Sequence, residues 1–190
     1  MLRRLAWFAN QIDLDPKRLI FLDECGTNTK MARTRGRSKR GTRCFASIPH
    51  GHWNTTTLVA CLSNQGIIAP MVLDGPLDGE MFNAYVEKIL CKEIKRGDIL
   101  IMDNLSTHKV KGIREKVEAK GAHILYLPPY SPDFNPIEKA FSQIKAFLRK
   151  AAARTKENLQ DAIAKAIDCV TPFNARNYFA SCGYEIDTMW

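Results

Sequence analysis

Three acidic residues stand where carboxylates could act together. Asp23 and Asp103 each close an apolar run, and Glu138 lies in the first turn of a helix predicted to begin at Pro136. Singly, each would be a solvated turn residue or an acid that complements a helix dipole. Clustered carboxylates, however, repel unless cations bind between them, and hard oxygen ligands suit Mg²⁺ or Mn²⁺. Two such ions about 4 Å apart would support in-line phosphoryl transfer without a serine, cysteine or histidine nucleophile.

The elements that position these acids follow from the apolar patterning. The sequence predicts strands at 18–24, 56–62, 66–73, 99–103 and 122–127, and helices at 2–12, 78–90, 109–120, from Pro136, at 155–169 and for one turn around 175–180. Asn135 is the expected N-cap of the helix from Pro136. This order predicts an α/β domain with a mixed sheet. If 19–23 and 99–103 are parallel neighbours that each end on an aspartate, both carboxylates emerge at one edge of the sheet.

Longer strings around these acids carry a family resemblance. FLDE, MDNLSTHK, LPPYSPDFNPIE and the 34 residues between Asp103 and Glu138 resemble the mariner-type superfamily of DDE transposases, most of all its bacterial insertion-sequence branch. The resemblance implies a ribonuclease-H-like mixed sheet flanked by helices, and two Mg²⁺ or Mn²⁺ ions. It assigns Asp23, Asp103 and Glu138 as catalytic residues and metal ligands. The implied activity is cleavage and strand transfer of a cut-and-paste mobile element, with TA as the expected target.

The same resemblance suggests a domain organisation. Residues 1–17 are interpreted as a remnant linker helix, on which Leu5, Trp7 and Phe8 lack a cover, and 18–190 as the catalytic domain with a basic insertion at about 25–54. The 22 residues before Asp23 are too few for a helix-turn-helix module. We therefore expect recognition of transposon ends to need a separate N-terminal helix-turn-helix chain or a missing segment. The chain would then be a truncated gene or the second of two joined reading frames.

Several residues near the acids have open roles. Asn104 and His108 follow the second acid. They would either orient Asp103 or contact the phosphate, or Asn104 would simply satisfy a turn and His108 cap the next helix. Tyr130, in the proline-rich loop, is a substrate contact or a residue that packs the loop, and packing is the favoured interpretation.

The distribution of cations points to DNA. The net charge is +8, and seven cations without an acid occur between Lys30 and Arg43. The candidate DNA contacts are Arg33, Arg35, Arg37, Lys39, Arg40 and Arg43, together with Lys145 and Arg149 on the helix face of Glu138. For the cations of the insertion, the alternative is a disordered cationic loop. For Lys145 and Arg149, the alternative is a solvated helix face with charge pairing. The resemblance adds double-stranded DNA, both transposon ends and target, as the partner, and a homodimer in the complex.

Two other functions remain open at this point. One is a domesticated or inactive DNA-binding relative, against which the three intact acids argue. The other is a different ribonuclease-H-like nuclease, against which the SPDFNPIE string and the basic insertion argue. No apolar run approaches the roughly 20 residues that a membrane span requires. We expect a cytoplasmic, nucleoid-associated protein without a membrane partner.

Overall fold

The computed structural model describes residues 2–50, 53, 55–104 and 112–184. The strands are β1 (Leu19–Asn28), β2 (Thr55–Ser63), β3 (Gly66–Asp74), β4 (Ile99–Met102) and β5 (His123–Tyr126), and the helices are α1 (Leu2–Asn10), α2 (Gly79–Tyr85), α3 (Cys91–Glu93), α4 (Ile113–Glu118), α5 (Pro136–Ala151), α6 (Lys156–Asp168) and α7 (Pro172–Ser181). The strands form one mixed sheet in the order β3-β2-β1-β4-β5. The predicted α/β class with a mixed sheet is confirmed.

The central strand β1 has a different partner on each side. It pairs in parallel with β4 from Leu19–Ile99 to Leu22–Met102, and antiparallel with β2 as far as Asn28–Thr55. The strand predicted at 18–24 is therefore longer than expected, since pairing with β2 carries it to Asn28. The irregular part of the basic insertion, predicted from about 25, begins only after Asn28. Among the described residues, pairing of β1 with β4 ends at Leu22 and Met102, and a site can form at this end of the two strands.

Helices cover both faces of the sheet because alternate residues of β1 are apolar on both sides. Leu19 and Phe21 belong to a core with α5, α6 and α7, whereas Ile20 and Leu22 belong to a core with α2, α3 and α4. Phe21 packs edge-on against Phe179, with ring centroids 5.2 Å apart. The strands that carry the site are thus buried on both faces, as a rigid support requires.

Two helices are longer than predicted. The helix expected to end at Leu90 passes through a π-helical turn at Val86–Leu90 and ends with α3. The single turn expected around 175–180 is the complete helix α7, because Thr171 and Asn174 form a capping box and Pro172 occupies the first helical position. The expected start of α4 near 109 lies outside the described residues.

The N-terminal helix α1 packs against the rest of the domain. The indole Nε1 of Trp7 donates to the hydroxyl of Tyr184 at 3.2 Å, and Gln11 is buried with its amide donating to the carbonyl of Gly183 at 3.3 Å. The prediction that Trp7 lacks a cover was wrong, since its contact partner lies 177 residues away in sequence. Leu5 and Phe8 are exposed, as predicted. Within the described part of the chain, none of the helices is both long and apolar enough to pass through a membrane.

Candidate active site

The structure brings the three predicted acids to one cavity. Asp23 comes from β1 just beyond the last residue paired with β4, Asp103 follows the end of β4, and Glu138 lies in the first turn of α5. All three line a cavity of about 370 Å³, which is closed on another side by the loop from Leu127 to Pro132. Asp23 is buried, Asp103 is half-buried and Glu138 is exposed. The exposure of the three acids therefore increases from Asp23, in the interior, to Glu138, at the solvent.

Asp23 is a buried carboxylate with two fixed oxygens. Its Oδ1 accepts a hydrogen bond from the backbone N–H of Glu24 at 2.8 Å, and its Oδ2 accepts one from Nδ2 of Asn135 at 2.9 Å. Burial raises the pKa of Asp23 to about 7, and the negative charges of Glu24, Glu138 and Asp103 act in the same direction, whereas the N–H of Glu24 lowers it. A cation in the cavity would therefore stabilise the ionised form of Asp23.

Asn135 has a role that the sequence did not reveal. It is at the N-cap position of α5 but makes no side-chain cap hydrogen bond there, so the capping role expected of its side chain was wrong. Its amide reaches Asp23 instead, and the residue is only 3% exposed. Among the described residues, its Oδ1 finds no hydrogen-bond partner. An asparagine at a cap position three residues before Glu138 gave no sign that its side chain would reach the first acid.

The proline-rich loop presents Tyr130 to solvent. Its side chain is 98% exposed, so the favoured prediction that it packs the loop was wrong. The carbonyl of Tyr130 accepts a hydrogen bond from Nη1 of Arg4 at 3.2 Å. The same guanidinium forms an ion pair with Asp133 at 2.7 Å. Helix α1 therefore braces the loop that closes one side of the cavity lined by the acids.

The donor set of the cavity suits a hard divalent cation. Three carboxylates line it, and none of the described residues that line it is cationic. Within the described part of the chain, no group of three or more His, Cys, Asp or Glu side chains is arranged to hold a metal. The carboxylates thus share a cavity without forming a closed ligand cluster. Asn104 is exposed and lines the same cavity, and His108 lies outside the described residues.

None of the predicted DNA-contacting cations lines the cavity that holds the three acids. All six in the segment 33–43 are exposed, and Lys145 and Arg149 are half-buried on α5. Of the α5 face that carries Glu138, Lys145 and Arg149, only the first turn, with Glu138, reaches the cavity. The positive charge of Lys145 acts on the thiol of Cys25, where it opposes the large increase in pKa that burial of this thiol causes.

A second groove joins the basic segment to the end of α5. Its volume is about 330 Å³, and its lining includes Arg33, Ile48, Arg149, Lys150 and Arg154. Nη1 of Arg154 also donates to the carbonyls of two residues at the start of the basic segment, Thr29 and Met31, at 3.0 Å each. Arg33 and Arg149 thus line the same groove. The hydrogen bonds of Arg154 hold residues 29–31, where the basic segment begins, against the rest of the domain.

Comparisons with known proteins agree with this geometry. Residues 18–160 match the family described as DDE superfamily endonuclease. A search of curated proteins gave no match.

Solved structures of the Mos1 transposase have a similar fold. The chain is similar to the Mos1 strand transfer complex (17% identity, TM-score 0.71, 96% of this chain and 57% of that chain), and to the Mos1 mariner paired end complex with Mn (16%, 0.67, 95% and 56%). It is also similar to a pre-cleavage Mos1 transpososome (14%, 0.65, 98% and 62%). The chain spans about three fifths of the length of these relatives. The likeness confirms the predicted ribonuclease-H-like fold.

Proposed function

Because this chain belongs to the DDE superfamily of endonucleases, we propose that it is the catalytic domain of a DNA transposase. The observation that carries the proposal is the convergence of Asp23, Asp103 and Glu138 on one cavity at the edge of the sheet. Cleavage would leave a 3′-hydroxyl, which then attacks a target phosphate directly. Movement by cut-and-paste, a TA target and membership of the bacterial insertion-sequence branch are parts of the same proposal.

The three acids are the proposed ligands of two Mg²⁺ or Mn²⁺ ions. One of the matched Mos1 complexes was determined with Mn, which supports this choice. When bound, the ions supply the Lewis acidity that stabilises the attacking and leaving oxygens. Asn135 and the N–H of Glu24 hold the two oxygens of Asp23 in fixed directions. The stiff loop with Pro128, Pro129 and Pro132 keeps one wall of the cavity in place. Asn104, at the rim, and His108 are proposed to orient Asp103.

DNA is the proposed partner of the basic surface. The exposed cations of the segment 33–43 and the groove that ends at Arg149 offer phosphate contacts without sequence readout. Lys145 is proposed to contribute from the same helix. The complex would contain two copies of the chain, and a separate helix-turn-helix chain would supply recognition of the transposon ends.

The proposed activity predicts metal-dependent cutting of DNA by the whole chain. Incubation with supercoiled plasmid that carries candidate element ends should yield nicked and linear products with Mg²⁺ or Mn²⁺, and none with EDTA, because the carboxylates alone cannot stabilise the leaving oxygen. Gel electrophoresis with mapping of the 3′ ends measures this. Equal cutting with and without EDTA would contradict the proposal.

Removal of the Asn135 amide should weaken metal binding while the fold is retained. Residues that orient a ligand typically contribute about 10- to 100-fold in metal affinity. We expect Asn135→Ala to bind Mn²⁺ at least about tenfold more weakly, as measured by titration calorimetry. Asn158→Ala, which changes an exposed asparagine on α6, is the matched control. Unchanged affinity in Asn135→Ala, with unchanged circular dichroism, would show that Asp23 does not need this partner.

A further inference from the structure

Tyr130 is an exposed aromatic residue beside buried neighbours. Its side chain is 98% exposed, whereas Ser131, next in the chain, is 5% exposed and Leu127 is 4% exposed. Tyr130 lines the same cavity as Asp23 and Asp103. The ring therefore stands in water at the rim of the acid cavity, and nothing in the described residues covers it.

The backbone holds this ring outward in an unfavourable conformation. Tyr130 has φ +53°, in the left-handed region that residues with a Cβ rarely adopt. Such a conformation persists only where the surroundings impose it, and these positions concentrate at functional sites. Two prolines stiffen the same loop, since Pro129 precedes the tyrosine and Pro132 follows two residues after it.

Arg4 on α1 supplies the remaining constraint. Its Nη1 donates to the carbonyl of Tyr130 at 3.2 Å and to Oγ of Ser131 at 2.8 Å. Its two terminal nitrogens also donate to the two carboxylate oxygens of Asp133 at 2.9 and 2.7 Å, and the guanidinium lies 4.9 Å from the ring centroid of Phe134. Four groups of one loop are thus fixed by a single side chain. Arg4 holds the carbonyl of Tyr130 and the residues just after it while making no hydrogen bond to the Tyr130 ring itself.

We propose that Tyr130 binds DNA by stacking on an unpaired nucleobase next to the scissile phosphate. This proposal rests on the proposed function. A scissile phosphate bound at the three acids would place the adjoining nucleotide at the rim of the cavity, next to Tyr130. Of the parts of a nucleotide, the base has the face that a neutral aromatic ring binds, and stacking tolerates any base sequence. Within a duplex, neighbouring bases cover that face, so the occupant is a base that has left the stack.

Photocrosslinking tests the contact directly. The whole chain is irradiated with a DNA duplex that has a four-nucleotide 3′ overhang containing 5-iododeoxyuridine, and the crosslinked peptide is identified by mass spectrometry. We expect the crosslink at Tyr130. Crosslinks confined to other residues, in a wild-type chain that cuts DNA, would overturn this proposal and leave the proposed function standing. A wild-type chain that neither crosslinks nor cuts would overturn both.

Variants at Tyr130 separate the ring from the fold. Tyr130→Gly accepts the left-handed backbone without strain, so it should fold normally and bind the overhang duplex about 5- to 150-fold more weakly. Tyr130→Phe keeps the ring and should retain the affinity. Phe173→Ala removes an aromatic residue that is 67% exposed on α7 and is the matched control. Wild-type affinity in Tyr130→Gly would overturn the proposal. Loss of self-association with unchanged DNA affinity would do so as well, since a second copy would then cover the ring.

Discussion

Asp23→Asn, Asp103→Asn and Glu138→Gln should each lower DNA cleavage and strand transfer by about 1000-fold. Metal ligation contributes several kcal/mol to the stabilisation of charge in the transition state, and each 1.36 kcal/mol or so changes the rate about tenfold. The changes keep the shape of each side chain, so the fold should be retained. Quantified plasmid cleavage and joining of a pre-cleaved end measure the two steps.

The control for these variants is an acid outside the cavity. Asp161→Asn makes the same chemical change at an exposed position on α6 and should cut DNA as the wild type does. Wild-type turnover by any one of the three site variants would remove that residue from the mechanism. The alanine variants should show the same loss.

Asp23→Asn should also stabilise the metal-free protein above neutral pH. The pKa of Asp23 is raised from 3.8 to about 7 in the folded chain, mainly by burial. The unfolded state therefore loses this proton at lower pH, and stability falls as the pH rises from about 4 to about 7. The asparagine is free of this penalty, which is at most roughly 4 kcal/mol at 1.36 kcal/mol per pH unit.

Urea unfolding at pH 8 with EDTA measures this gain. The Asn135 amide can turn over so that its unpartnered Oδ1 accepts from the new amide at position 23. Glu138→Gln, at an exposed position, should show no comparable gain. An Asp23→Asn variant less stable than wild type under these conditions would show that the buried charge is already compensated by the protein.

Replacing Arg35, Arg37, Lys39 and Arg40 with glutamine should flatten the salt dependence of DNA binding. Each lost phosphate contact changes the slope of log K against log salt by about 0.9, so four contacts change it by about 3.6. Between 50 and 200 mM salt, the wild type would then lose about 150-fold more affinity than the variant. Fluorescence anisotropy with a random-sequence duplex over this range measures both slopes.

The matched control carries the same loss of charge on the other side of the sheet. Lys88, Lys92, Lys95 and Lys120 are exposed and lie on or beside α3 and α4. Their replacement with glutamine should leave the slope nearly unchanged. A slope that falls equally in both variants would mean that net charge, and no localised surface, governs DNA binding. An unchanged slope in the first variant would mean that the basic segment points away from DNA.

The positions of the acids were predictable from sequence because local signals surround each of them. A continuous apolar run precedes Asp23 and another precedes Asp103, and a proline at the first helical position sets the start of the helix that carries Glu138. The course of β1 beyond Asp23 was not predictable in this way. ECGTN has no strand pattern, and only pairing with β2 keeps these residues extended.

Contacts between distant residues were equally hidden. The hydrogen bond from Asn135 to Asp23 joins residues 112 positions apart, and the bonds from Arg4 to the loop span more than 120 positions. Asn135 also had an ordinary local interpretation as a helix cap, and no local pattern around Arg4 indicated a partner in the loop. The sequence around Asn135 and Arg4 therefore did not indicate that either side chain has a distant partner.

The most direct measurement of the central claim is anomalous X-ray scattering from crystals soaked in Mn²⁺. We expect anomalous peaks in the cavity between the carboxylates of Asp23, Asp103 and Glu138, two of them about 4 Å apart when DNA is bound. Crystals of Asp23→Asn should show weaker peaks or none. A cavity without Mn²⁺ in wild-type crystals that bind the ion elsewhere would contradict the claim that these three acids form the catalytic metal site.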